Sequence, residues 1–167
     1  FRLVDWKDEG AMVQSPAVAI LIQHPTLGNI LYDTGNCEDF SAVYTEEMLH
    51  DYPITEMISI QEALAQKGLT PDDIDLIILS HLHFDHAGGL KHFVGTKAIR
   101  RVLVSEADLK NAYWSVMTGN GGAYIRSLFD VEGIQFQTIR ETTKLAEDLE
   151  LFIQASHTPG VIGMVLK

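Results

Sequence analysis

His81-Leu82-His83-Phe84-Asp85-His86 places three imidazoles and a carboxylate within one short stretch. The 167 residues contain 7 histidines, four of which, His81, His83, His86 and His92, lie between positions 81 and 92. Neutral imidazole nitrogen and carboxylate oxygen are donors that zinc, iron and manganese all accept, so the cluster points to divalent-metal chemistry with zinc as the default ion. In extended chain, residues two apart project to the same side. His81 and His83 therefore aim at one ion while Leu82 and Phe84 pack into the core. Asp85 and His86 follow where the chain has to turn, and Ala87-Gly88-Gly89 adds no bulk there, which suits a second ion beside the first.

These side chains need a rigid origin. Asp75-Leu-Ile-Ile-Leu-Ser80 is a continuous apolar run, expected as a fully buried strand whose C-terminal end delivers the cluster. Upstream, Ala17–Gln23 and Ile30–Asp33 are β-rich runs separated by Pro25, Gly28 and Asn29, the pattern of a hairpin. Helical spacing broken by Pro53 predicts a short helix after Glu46 and a better one over Ile58–Lys67, capped by Gly68, with a helical turn at Thr70-Pro-Asp-Asp. A helix after the cluster, a strand at Arg101–Val104, and further strands at Ile134–Ile139, Leu149–Ala155 and Val161–Leu166 complete the reading. Between them, Ser105 to Asp130 is an aromatic, Gly-interrupted segment. Its Tyr113, Trp114, Tyr124 and Phe129 suit either the roof of an apolar pocket or helix packing. Helices and strands are mixed without repeat or linker, so the expectation is one α/β (α+β) domain over residues 1–167.

Composition narrows the function classes. With 46% hydrophobic and 21% charged residues, a chain of this length builds a core without needing disulfides or metal to fold. Twelve basic against 23 acidic residues give a net charge of −11, and no basic cluster exists beyond Lys97, Arg100 and Arg101. Nucleic acid is therefore not an expected partner. Apolar runs fall far short of the roughly 20 residues that span a bilayer, and Asp5, Asp8 and Glu9 stand where a signal peptide is basic, so neither membrane insertion nor export is expected. Cys37 is the single cysteine, which suits a reducing, cytoplasmic setting. It reads as a small hydrophobe, and His24, His50 and His92 read as structural because nothing near them completes a ligand set.

The run His81-Leu-His-Phe-Asp-His-Ala-Gly-Gly89 resembles the H-x-H-x-D-H signature of the metallo-β-lactamase superfamily. Ile30-Leu-Tyr-Asp33-Thr-Gly35 is similar to the strand that in this family ends in Asp-x-Gly under the metal site. His157-Thr-Pro-Gly160 is similar to the segment carrying the family's third histidine. The wording of the central motif most resembles the N-acyl homoserine lactonase-like branch. The resemblance implies an αββα sandwich and a metal-dependent hydrolase, in which a hydroxide bridging two divalent ions attacks the carbonyl of a small-molecule lactone or other ester. Zinc is the default for both ions, with iron or manganese as alternatives. By position it implies His81, His83 and His157 on one ion and Asp85 and His86 on the other, with Asp85 also the catalytic proton-handling residue. Asp33 would orient a ligand by hydrogen bonding, or else cap the Thr34-Gly35 turn. Rival readings are a glyoxalase II-like thioester hydrolase, an iron redox protein of the same fold and a non-catalytic interaction module.

Two departures matter. Val161 stands where lactonases often carry a histidine. The family pattern also continues beyond Lys167 to a bridging aspartate and a last histidine, and this chain has no histidine after His157. The expectation is therefore a sandwich whose C-terminal half is missing, with a second ion weakly held. Helices should lie on one face only, and apolar side chains should be exposed on the other. Oligomeric state is not legible in the sequence.

Overall fold

The computed structural model of the chain describes residues 14–167, so Asp5, Asp8 and Glu9 lie outside the described residues. The first hairpin is β1 (Ile20–His24) and β2 (Gly28–Tyr32), antiparallel with Ile22 opposite Ile30. Against β2 lies β3 (Leu76–Ile78), followed by β4 (Val102–Ser105) and β5 (Phe136–Ile139), all parallel, giving a five-stranded sheet whose spatial order is its chain order. A second, antiparallel sheet contains β6 (Thr143–Lys144), β7 (Leu149–Gln154) and β8 (Val161–Leu166). The helices are α1 (Phe40–Val43), α2 (Glu46–Asp51), α3 (Ile60–Ala65), α4 (Phe84–Ala87), α5 (Glu106–Met117) and α6 (Arg126–Phe129).

Strand alternation builds two cores. Leu31, Ile77, Val102 and Val104 face the helices and pack with Ile60, Leu64, Phe93, Ala112 and Phe129. Their neighbours Ile30, Leu76, Ile78 and Leu103 face the second sheet and meet Leu149, Leu151 and Ile162. Strands this apolar on both faces belong in the middle layer, which is why the parallel strands read as continuous hydrophobic runs. The layers are thus helices, sheet, sheet. Beyond the second sheet Phe152 and Val165 remain exposed, as expected for a sandwich with helices on one face.

Several boundaries differ from the sequence reading. Ala17–Ala19 are not part of β1, because its partner ends at Tyr32, where Asp33 turns into left-handed backbone at φ 60°. The helix expected over Ile58–Lys67 is shorter because Ser59 is its N-cap: Ser59 Oγ accepts from the Glu62 N–H at 3.2 Å, and the Glu62 carboxylate accepts from the Ser59 N–H at 2.9 Å. The Ser105–Asp130 segment is mostly regular. Ser105 caps α5 by accepting from the Asp108 N–H, and Tyr113 of that helix packs edge-on against Phe129 of α6.

Candidate metal centre

The ends of β2 and β3 are tied together, the Asp33 N–H donating to the Ile78 carbonyl at 2.8 Å. Past that tie, the chain from Leu79 to His83 runs across the top of the sheet. Leu82 and Phe84 are buried, and the rings of His81 and His83 lie with centroids 4.5 Å apart. His157 reaches the same place from the loop between β7 and β8. Its Nε2 lies 3.1 Å from His83 Nδ1, and its ring lies 5.0 Å from that of His81. One nitrogen from each of the three histidines falls within 4.8 Å of the others. His81 and His83 come from the first sheet and His157 from the second.

Hydrogen bonding sets how His81 presents itself. Ser80 Oγ donates its one proton to Asp33 Oδ2 at 2.7 Å, so toward His81 Nδ1, at 3.0 Å, it can only accept. The Nδ1–H tautomer follows, and Nε2 is left as the lone-pair nitrogen. That Nε2 is buried with no hydrogen-bond partner among the described residues. A buried acceptor in this condition costs about 1–3 kcal/mol unless something fills its coordination.

Electrostatics favour the same form. Burial, then the neighbouring His86, His83 and His157, push the His81 pKa down to about 2. Burial, then His157 and His86, push that of His83 down to about 4. Both rings are therefore neutral near pH 7, the state a metal ligand requires. An ion that takes nitrogen at about 2.0–2.1 Å holds tetrahedral ligands roughly 3.3 Å apart. A pair at 3.1 Å and an orphaned buried nitrogen fit such an ion.

His86 and Asp85 stand beside this group. The His86 ring is 4.0 Å from that of His81, its Nδ1 is 2.8 Å from Asp33 Oδ2, and its Nε2 faces Asp85 Oδ2 at 3.5 Å. Burial alone would lower the His86 pKa, but the Asp33 hydrogen bond and the charges of Asp33, Asp85 and Asp108 outweigh it and raise it. Asp33 also accepts from the Ser80 N–H at 2.7 Å. One buried carboxylate thus aligns Ser80 and His86 together, while its turn is held separately by backbone bonds.

Thr34 and Tyr124 complete the frame. Thr34 donates both its N–H and its hydroxyl to the His86 carbonyl, each at 2.8 Å, and accepts from the Gly89 N–H at 3.1 Å. Tyr124 sets its ring edge-on to His83, 4.5 Å between centroids. Thr34 stands inside the Asp33-Thr34-Gly35 motif and Tyr124 inside the aromatic segment, but neither pattern, nor Ser80 at its strand end, announces these contacts. The remaining candidates have ordinary roles. His24 is buried, accepts from two backbone N–H groups and pairs with Asp148 at 3.0 Å. His92 lies 3.5 Å from Glu38, and His50 beside Asp51. Cys37 packs with Tyr44, Phe84 and Leu128, and burial raises its thiol pKa. A shallow groove of about 830 Å³ begins at Pro159, next to the His157 loop, and runs along α5 past Ala107, Tyr113, Trp114 and Met117.

A family model described as "Metallo-beta-lactamase superfamily" matches residues 13–167. An N-acyl homoserine lactonase of Bacillus sp. is 29% identical over 166 residues, covering 95% of this chain and 61% of that protein. N-acyl homoserine lactonase AiiB of Agrobacterium fabrum (strain C58 / ATCC 33970) is 36% identical over 93 residues, covering 53% of this chain and 33% of its own length. Among solved structures, a mutant of B. thuringiensis AiiA with N-decanoyl-L-homoserine bound at the active site superposes with a TM-score of 0.68 at 27% identity, over 87% of this chain and 56% of that one. The chain thus spans less than two thirds of the length of each of these relatives.

Proposed function

The chain belongs to the metallo-β-lactamase superfamily, and from that premise we propose that it carries the principal metal site of a hydrolase that opens N-acyl homoserine lactones or closely related esters. The observation that carries the reading is the meeting of His81, His83 and His157 around the partnerless Nε2 of His81. Residues 1–167 act as one domain in this reading. His81, His83 and His157 would hold one divalent ion, zinc by default, and Asp85 with His86 Nε2 would supply ligands to a second. A bound ion of this kind makes water nucleophilic near neutral pH and polarises a carbonyl.

The chain's own groups do the rest. Asp33 fixes the His86 ring by holding Nδ1, so that Nε2 is turned toward Asp85. Asp85 sits at the mouth with its carboxylate 37% exposed, able to take the proton of the attacking water and return it to the ring oxygen when the acyl–oxygen bond breaks. The groove past Pro159 and Trp114 is mainly apolar and includes Pro159, two residues after His157, a surface suited to a hydrocarbon chain. The acidic surface agrees with a small-molecule substrate in preference to nucleic acid.

Asp85→Asn in the full protein tests this. The change keeps shape and removes the charge, so lactone hydrolysis should fall about 100-fold or more while the fold is retained. His92→Ala, which alters a histidine outside the cluster, should leave the rate near that of the unmodified protein. Full activity in Asp85→Asn would end the proposal, and equal losses in both variants would show a fragile loop in place of a chemical role.

A further inference from the structure

We infer that Asp108, a fully buried carboxylate in the first turn of α5, is a positioning residue that holds the histidine-bearing segments at the spacing a metal ion requires. The inference rests on the metal-site reading above. Asp108 is 0% exposed, and both carboxylate oxygens are engaged. Oδ2 accepts from the Leu82 N–H at 2.8 Å, and Oδ1 accepts from the Tyr124 hydroxyl at 2.7 Å. Leu82 is the residue between His81 and His83, so the first bond fixes the peptide from which both rings hang. Tyr124 is the ring that packs against His83, so the second bond fixes the wall behind that imidazole. Asn111, one turn further along α5, donates to the same Tyr124 oxygen at 3.1 Å.

The same turn also grips the third histidine's loop. Ser105, whose Oγ accepts from the Asp108 N–H at 3.0 Å, donates to the Gly160 carbonyl at 2.6 Å. Gly160 lies three residues past His157, and a Cβ there would come within 2.1 Å of Ser105 Oγ, so the contact is as close as backbone permits. Residues Ser105 to Asp108 therefore bind one segment through Leu82 and the other through Gly160. A charge buried this completely is a poor device for stability alone, because desolvating it offsets much of what its hydrogen bonds contribute. Its place at a helix N-terminus, where backbone N–H groups favour an anion, makes it tolerable. Asp108 touches no histidine itself; it acts through the Leu82 peptide and Tyr124.

The test uses metal binding by the full chain, with Co²⁺ and Zn²⁺ as probes. Asp108→Asn keeps the shape but has one acceptor oxygen in place of two, so one of its two bonds must be lost or reversed. The expected result is at least a tenfold weaker Co²⁺ affinity, in competition with a chromophoric chelator, together with an altered Co²⁺ visible spectrum. Restored affinity and spectrum are not expected from added stabilising osmolyte, which would rescue a merely structural defect. Co²⁺ affinity and spectrum unchanged in folded Asp108→Asn would overturn the inference. If that variant does not fold, Tyr124→Phe decides: affinity weakened threefold or more supports the inference, and wild-type affinity overturns it. His157→Ala is measured alongside. If removing that ligand also leaves Co²⁺ binding intact, the metal-site reading itself has failed, which separates the two failures.

Discussion

Asp33 shows how much one side chain can be asked to do. Its backbone is left-handed at φ 60°, a conformation in which Asp and Asn are tolerated better than most residues. Its carboxylate accepts from the Ser80 N–H, the Ser80 hydroxyl and His86 Nδ1. Asp33→Asn should therefore preserve the turn while turning an amide N–H₂ toward groups that need an acceptor. Hydrolysis and affinity for the second ion should fall roughly 10- to 100-fold, the usual cost of losing a partner behind a metal ligand, with the metal-free melting temperature changed by only a few degrees. Parallel rate and thermal-melt measurements check this, and a rate loss that merely tracks unfolding would count against it. His81, His83 and His86 stand out in the sequence because their spacing is local, whereas His157 and Asp33, 74 residues from His83 and 53 from His86, were singled out only by the family resemblance. Ser80, Thr34, Tyr124 and Asp108 were not legible there, because their roles arise from hydrogen bonds between segments that meet only in the folded chain, such as Leu82 with Asp108, 26 residues apart.

At the scale of elements, α4 owes its position to a glycine. Gly88 has an ordinary φ of −60°, so its backbone asks nothing special, but a Cβ there would meet the Cys37 nitrogen at 2.3 Å and the Asn36 carbonyl carbon at 2.5 Å. The turn that follows Asp33 and the helix that carries Asp85 and His86 are thus in backbone contact. Gly88→Ala should cost about 1–3 kcal/mol by overpacking and should also disturb metal binding, because relief requires α4 to move. Gly35→Ala offers the contrast: φ is 73° and nothing lies within 4 Å, so roughly 1–2 kcal/mol of backbone strain should appear without loss of metal affinity. Denaturant titration paired with Co²⁺ titration distinguishes the two, and similar metal binding in both variants would refute the packing argument. β3 and β4 were plain because these buried parallel strands are apolar at nearly every position, whereas β6, the two polar residues Thr143–Lys144, has no such run and was not anticipated. The helix α5 was not anticipated within the Ser105–Asp130 segment: Trp114 and Met117 are 72% and 69% exposed, which blurs the one-sided pattern that marks a surface helix.

Across the whole molecule, the three-histidine group joins two sheets that also meet through apolar packing and a few hydrogen bonds, among them the Ile162 N–H to the Ser80 carbonyl at 2.8 Å and Ser105 Oγ to the Gly160 carbonyl at 2.6 Å. An ion held by all three binds only the folded arrangement. Zinc at about 100 times its dissociation constant should stabilise the chain by about 2.7 kcal/mol, a rise of roughly 5–11 °C in melting temperature for a domain of this size. Calorimetry with zinc and then with excess EDTA measures it; a shift that survives in His157→Ala would show that zinc acts elsewhere. The larger sheet has a further consequence. Its strand order is also its order of synthesis, so each parallel strand can be laid on the edge of the one before it as the polypeptide leaves the ribosome. His81 and His83 reach their surroundings well before His157 exists: at about 5–20 residues per second, the 74 residues between His83 and His157 take roughly 4–15 s to translate. During that interval the nascent chain carries His81, His83, Asp85 and His86 but lacks the third histidine of the group. A site of all three histidines could therefore select its ion only once β7 and β8 dock, from the ions present at that moment and not from those met while the first sheet was growing.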